Sequence, residues 1–336
     1  MRPSCPFFSP AEAARRLGVS VKALRIYERH GLVAPGRTAA GWRSYGPDDM
    51  DRLAEITALR ALGLSLGQVA RVLAGKPGAL EPALATHQAR LEREIGHLSA
   101  VLTRLRDIRT GLAQGHPPVI GELARLIAPA TADVVAFDLP WPWGGERFVL
   151  RDIKPITYII GPRGSGKTRL AHCLADALPG AVFVGLDRAA DGAAAARAAM
   201  AADPALTARA EATLAWLAED GAVASDALLA LVSALEMQGP AFIVVDMVEQ
   251  GLDQPSQEAL IAHLRRRGPD HPPLFLMTRS SAILDLSAVG AAEAILFCPA
   301  NHSPPTLVAP YPGAPGYEAV ATCLASPEVR ARLGAA

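Results

Sequence analysis

Cysteine is scarce. The 336 residues hold four, Cys5, Cys173, Cys298 and Cys323, far apart and with no Cys-x-x-Cys pair. This spacing offers no disulfide framework and argues against a zinc ribbon, so all four are expected to be reduced structural thiols. No run of about 18 uncharged apolar residues occurs, and the N-terminus lacks a long apolar stretch ahead of a small-residue cleavage site. The expected location is cytoplasmic, with no membrane partner. Aromatic residues make up only 5% of the chain, and neither sign of charge is in excess, with 33 basic and 33 acidic side chains. Half of the residues are nonetheless hydrophobic, enough for sizeable cores, and the length allows two domains with a small module between them.

The zero net charge hides an asymmetry. Residues 1–115 carry 17 Lys and Arg against 10 Asp and Glu, a balance of +7, and residues 116–336 carry 16 against 23, a balance of −7. Within residues 1–45 the count is 8 basic to 2 acidic, a density suited to neutralising phosphates. The local pattern there is specific. Ser9 opens a helix over 10–17 that Gly18 ends, and Ser20 caps a second over 21–30 stopped by Gly31. Two short helices joined by a tight turn make a helix-turn-helix, whose second helix enters the DNA major groove. Lys22, Arg25 and Arg29 would face the duplex. The following stretch 32–45, with Pro35, Gly36 and Gly41, is expected to form a β-ribbon wing that presents Arg37, Arg43 and Tyr45 to phosphates. Helices over 47–62 and 65–74 follow, with Leu53, Ile56, Leu59, Leu62, Val69 and Leu73 as their apolar stripe.

The segments VSVKALRIYERHGLV (19–33), GWRSY (41–45) and LRALGLSLGQVARVL (59–73) stand in the order and spacing of the MerR family of transcription regulators, which residues 9–75 resemble. The resemblance implies a dimer that binds palindromic double-stranded promoter DNA and distorts it for RNA polymerase, with Arg25, Tyr27, Arg43 and Tyr45 as DNA-contacting positions. Ile26 and Trp42 stand where the family often has Tyr. Beyond this segment, Leu84, Leu91, Leu98, Leu105 and Leu112 recur in strict heptads, with Ile95 and Leu102 at the companion position and Gln88 and Arg109 interrupting it. That periodicity predicts a coiled-coil seam, hence a homodimer through 84–112, its strand direction left open. The alternative is a helix packed on its own C-terminal half. Gly115-His-Pro-Pro118 ends the helix and marks the expected hinge.

In the acidic half, the apolar run 156–160 leads directly into Gly161-Pro-Arg-Gly-Ser-Gly-Lys-Thr168 and then into a helical pattern over 169–178. This is G-x-x-x-x-G-K-T in its strand-loop-helix setting, the phosphate-binding loop of NTPases. Gly161, Gly164, Ser165 and Gly166 let backbone N–H groups surround phosphates, Lys167 reaches the outer phosphates, and Thr168 offers its hydroxyl to Mg²⁺. A second apolar run, 241–245, ends in Asp246, placed as the Walker B acid beside the metal. A third buried strand, 274–277, precedes Thr278-Arg279-Ser280-Ser281. No guanine-reading Asn/Thr-Lys-x-Asp run follows, which favours ATP.

The segments IVVDMVEQGLDQPSQEALIAHL (243–264) and LFLMTRSSAIL (274–284) look like the Walker B, D-loop and switch-strand regions of the ATP-binding-cassette and SMC/RecF-like ATPase lineage, a resemblance spanning about 130–300. Three departures matter. Met247 stands where the lineage has the glutamate that orients the attacking water, and a thioether can do neither part of that task. Arg279 stands at the switch-histidine position, and 222–226 gives no recognisable serine-glycine signature. Glu249 is the nearest alternative base, displaced by two residues. No catalytic residue is therefore assigned. The alanine-rich stretch 189–217 reads as a structural helical insert, and Trp141, Trp143 and Phe148 read as core residues in preference to a purine stack.

The expected architecture is multidomain: an all-α winged helix-turn-helix (1–76), a coiled-coil helix (77–115), a linker (116–130) and an α/β P-loop domain with a mainly parallel sheet (131–336). The expected function is DNA-binding transcription regulation with ATP·Mg²⁺ as effector and hydrolysis slow or absent. The alternative is an active DNA-associated ATPase anchored by the helix-turn-helix.

Overall fold

The computed structural model describes residues 7–114, 135–268 and 271–325. The hinge at 115–118, the linker 116–130 and Cys5 lie outside the described residues. The chain divides into two compact units near residue 89, within the helix expected to form the coiled coil.

In the first unit, α1 (Pro10–Leu17) opens on a reciprocal cap: the Ser9 side chain accepts from the Glu12 N–H, and the Glu12 carboxylate accepts from the Ser9 N–H at 2.9 Å. Gly18, at φ 65°, closes it in the left-handed conformation that glycine adopts at no steric cost. Ser20 caps α2 (Val21–Arg29). Two-residue strands β1 (Gly36–Arg37) and β2 (Arg43–Ser44) pair antiparallel as the wing. Helices α3 (Pro47–Ala61) and α4 (Leu66–Leu73) complete the unit, the latter through a Ser65/Gln68 cap. Leu24, Tyr45, Leu53, Ile56 and Val69 are fully buried at its centre. Of the anticipated stripe, Leu59, Leu62 and Leu73 pack at the edge of this core.

Helix α5 (Leu80–Ala113) is 34 residues long, about 50 Å at 1.5 Å per residue. Leu84, Leu91, Ile95, Leu98, Leu102, Leu105 and Leu112 are between 41% and 62% exposed along it, an apolar stripe left open in the single chain.

The C-terminal domain is built on a six-stranded sheet of β5 (Ile156–Ile160), β6 (Ala181–Val184), β7 (Phe242–Val245), β8 (Leu274–Met277), β9 (Glu293–Phe297) and β10 (Thr306–Val308), in the order β10-β9-β5-β8-β7-β6. All pairings are parallel except β10 with β9. Because parallel strands need crossovers, helices cover both faces, and β5, β7 and β8 are buried at every position. Successive side chains alternate between two cores. Ile156, Tyr158, Ile160, Ile243 and Val245 point to one, Ile159, Val244, Phe275 and Met277 to the other. The second core includes α6 (Lys167–Ala177) and a hairpin of β3 (Val135–Asp138) and β4 (Arg147–Leu150). The alanine-rich insert forms α7 (Ala194–Ala202) and α8 (Pro204–Glu219), broken where Asp203 caps the second helix. Helices α9 (Asp226–Leu235), α10 (Gln254–Arg265) and α11 (Tyr317–Cys323) complete the domain.

Candidate functional sites

On α2, Lys22, Arg25 and Arg29 are spaced three and four residues apart and so share one face; Arg25 and Arg29 are exposed and Lys22 is half-buried. Glu28 ties the wing to this helix, accepting from Arg43 Nε at 2.5 Å and lying 3.6 Å from Arg37. Arg43 thus keeps a fixed position beside the helix while remaining about one third exposed. Tyr27 and Tyr45 are placed otherwise than expected. They are 6% and 0% exposed, members of the core between the helices and the wing, and burial pushes the Tyr45 phenol above its usual range. Both rings pack into this core, and the Tyr45 hydroxyl is buried with its ring. Trp42, at the tip of the wing, is 74% exposed, the aromatic that the wing does present.

The second candidate site lies at the C-terminal edge of β5. Gly164 and Gly166 sit at φ 80° and 86°, and the turn delivers Lys167 as the first residue of α6. A Cβ at Gly161 would collide with the Cys298 carbonyl and lie 2.6 Å from Ser165 Oγ, so only glycine allows the chain to double back there. A Cβ at Gly166 would lie 2.7 and 2.8 Å from two ring carbons of Trp143. Lys167 is buried, its ammonium donating to the carbonyls of Gly161 at 2.8 Å and Pro162 at 2.6 Å. Burial lowers its pKa, and the nearby Arg279 charge adds to that effect. The Ser165 hydroxyl is buried without a partner.

Asp246 directly follows β7, two strands from β5 across β8, at the same end of the sheet. It is 3% exposed, with Oδ1 buried and unpartnered, and burial raises its pKa against the opposing charges of Arg188, His172 and Lys167. A buried carboxylate oxygen without a donor, close enough to Lys167 to feel its charge, is a hard oxygen ligand of the kind that suits Mg²⁺. Met247 follows at φ 41°. Glu249 is buried and turned toward β8, its Oε1 accepting the Arg279 N–H at 3.0 Å, so it fastens the two strand ends together. Arg188 is a residue the sequence reading missed. Its guanidinium donates to the carbonyls of Gly185, Asp246 and Met247 at 2.8 to 2.9 Å and so holds the turn carrying the acid. Its only sequence signal is a charge just beyond an edge strand.

The three aromatics ahead of the loop separate. Trp143 and Phe148 belong to the core, as anticipated, with Trp143 Nε1 donating to the Ser303 carbonyl at 3.3 Å. Trp141 is 81% exposed and, with Pro142 and His302, borders a cavity of about 340 Å³ over Gly164–Arg169. His302 reaches the Gly164 carbonyl at 3.0 Å.

A capped helix pair with a two-stranded wing and a basic outer helix face is a DNA-reading unit of the winged helix-turn-helix class. Residues 8–76 match the model of the MerR HTH family of regulatory proteins. The chain is 35% identical over 103 residues to a probable heavy metal-dependent transcriptional regulator of Haemophilus influenzae, covering 29% of this chain and 80% of that protein. It is 35% identical over 129 residues to the HTH-type transcriptional regulator HmrR of Sinorhizobium medicae, covering 34% and 84%. Against the nodulation protein NolA of Bradyrhizobium elkanii it is 36% identical over 101 residues, 30% of this chain, and it spans less than half of that protein, 46%. The chain belongs to the MerR HTH family. Among the described residues no helix is long and apolar enough to cross a membrane.

Proposed function

We propose that the chain is a promoter-binding transcription regulator that dimerises through residues 84–112 and takes ATP·Mg²⁺ in its C-terminal domain as an effector, with hydrolysis slow or absent. The observation that carries the reading is the meeting of two features at one edge of a parallel sheet. One is the Gly161–Gly166 turn that feeds α6, and the other is the buried Asp246, whose Oδ1 has no partner, followed by a methionine in place of an acid.

In this reading the loop N–H groups and the N-terminus of α6 hold the phosphates. Lys167 exchanges two loop carbonyls for phosphate oxygens, and Thr168 and Asp246 hold the metal. Arg279 faces the outer phosphate, and Trp141 offers its open ring to the base. When bound, Mg²⁺ neutralises phosphate charge. In the N-terminal unit, Lys22, Arg25 and Arg43 neutralise DNA phosphates, and a deformed promoter is the route to RNA polymerase. Coupling requires only that ATP bind one DNA-binding state of the dimer more tightly than the other.

The test is titration of promoter-fragment binding with ATP·Mg²⁺ at fixed salt, in the full chain and in Lys167→Ala. An ATP-dependent change in affinity, absent in the variant, is expected. Identical DNA binding with and without nucleotide would refute the proposal. Phosphate release at about 1 s⁻¹ or more, abolished by Asp246→Asn, would instead favour an ATPase anchored on DNA.

A further inference from the structure

Residues 1–45 carry two acids among eight basic residues, Glu12 and Glu28. Glu12 serves its own helix, in the cap of α1. Glu28 has no such local use. It lies in the last turn of α2, where the helix dipole disfavours a carboxylate, and on the helix that carries Lys22, Arg25 and Arg29. A negative charge there also opposes the approach of DNA phosphates.

Its contacts are all with the wing. Oε2 accepts from Arg43 Nε at 2.5 Å, and Oε1 lies 3.6 Å from Nη2 of Arg37. Arg37 is held from its other side as well, Nη1 donating to the Gly41 carbonyl at 3.3 Å in the turn of the wing itself. Strands β1 and β2 pair over only two residues each, so this one carboxylate fixes the direction of both wing cations relative to α2. With Nε of Arg43 bound to Glu28, its terminal nitrogens are the ones left for a phosphate. A partly exposed ion pair adds little to stability, so stability alone does not account for an acid at this face. Binding to DNA of any sequence rests on phosphate neutralisation, which freely moving cations supply in every register, whereas a preferred site is held in a single register. Cations fixed in direction suit that one register and follow the backbone poorly in others.

We propose that Glu28 sets the discrimination between a preferred DNA site and bulk DNA, by holding Arg37 and Arg43 in the direction one register requires and offsetting their attraction for every other. The proposal rests on Arg43 being a phosphate contact.

The test measures the affinity of the full chain for two duplexes over a range of salt, one of mixed sequence and one that the unmodified chain has selected from a randomised pool. Glu28→Gln removes the charge and keeps an oxygen that can accept from Arg43 Nε. Mixed-sequence affinity should rise about threefold at low salt, the Coulomb effect in water of one charge a guanidinium's width from a phosphate, and selected-site affinity should not rise. The salt dependence of mixed-sequence binding should steepen by about 0.9 in log–log slope for each DNA-bound chain. Arg43→Lys keeps the charge but loses the directed fork, so selected-site affinity should fall about tenfold, the loss of one charged hydrogen bond, with mixed-sequence affinity held. No change, equal changes for the two duplexes in both variants, or a pool that yields no preferred duplex would overturn the proposal. Arg43→Gln checks the phosphate contact itself: unchanged binding of both duplexes would remove Arg43 from the interface, while weaker binding there with Glu28→Gln silent would overturn the role of Glu28 alone. Arg43→Lys decides the matter where Glu28→Gln fails to fold.

Discussion

Gly166→Ala should damage the C-terminal domain through two separable costs. The first is backbone conformation: at φ 86° an L side chain meets the carbonyl that follows, a cost of about 1–2 kcal/mol. The second is contact. The new methyl would stand 2.7 Å from Cη2 and 2.8 Å from Cζ2 of Trp143, an indole only 4% exposed and held by its bond to the Ser303 carbonyl. Overpacking against such a rigid, enclosed ring costs about 1–3 kcal/mol. The sum, about 2–5 kcal/mol, corresponds to a drop of roughly 4–20 °C in the unfolding temperature of a domain of this size. A double-mutant cycle separates the two parts. In a Trp143→Leu background the clash is gone and the conformational cost remains, so the two changes should be coupled by about 1–3 kcal/mol. Scanning calorimetry of the four proteins measures this directly. If the two substitutions prove additive, the indole does not bear on the loop, and its role in shaping the Gly161–Gly166 turn is wrong.

Leu98→Glu places a charge in the middle of the stripe on α5, and twice in a symmetric pair. Sedimentation equilibrium should show the dimer dissociating at concentrations at least tenfold higher than for the unmodified chain, and an unchanged dimer would assign the seam elsewhere. The pair formed by His263 and Glu236 predicts a pH effect with a definite sign. Burial holds the imidazole below its usual pKa against the pull of Glu236, while Glu236, which burial alone would raise, is held down by His263, Arg267 and Thr213. Both groups therefore bind protons more readily unfolded than folded. Their stabilisation is complete above about pH 6.5 and is lost as pH falls toward the carboxylate range. Urea midpoints at pH 7.5 and 5.5 should fall with acidification, less so in His263→Phe, and equal midpoints would contradict the assignment.

Elements with local causes were legible in the sequence. Ser9, Ser20 and Ser65 each cap the helix they were expected to open, and β8 runs over the same four residues as the apolar run that announced it. The helix-turn-helix and the wing follow from the same kind of signal. The strands β6, β9 and β10 and the β3–β4 hairpin went unread, because short apolar stretches bounded by turns carry no period that separates strand from buried helix. Tyrosine misled for a related reason: it has an apolar body and a polar tip, and pattern alone cannot say which end the fold uses. Tyr45 is fully buried, and the wing presents Trp42 instead. Arg188 was invisible, since what makes it notable is a pair of carbonyls supplied by residues far along the chain.

Met247 bears on what kind of switch the C-terminal domain can be. A positioned base contributes about 10²–10⁴ to a rate, and the alternative acid two residues on, Glu249, is fastened to the Arg279 backbone. A triphosphate held there would persist, so the work available for altering DNA binding comes from its unequal affinity for two states and not from its cleavage. Moving a two-state equilibrium from 1:99 to 99:1 takes an affinity ratio of about 10⁴. A dimer with one site per chain divides that demand, so each site needs a preference of about 10², near 2.8 kcal/mol at 1.4 kcal/mol per tenfold. That is within the usual range of coupling between sites, ~1–3 kcal/mol. A single loop contact that forms in one state alone, such as Lys167 leaving two carbonyls for phosphate, is of the right size to supply it.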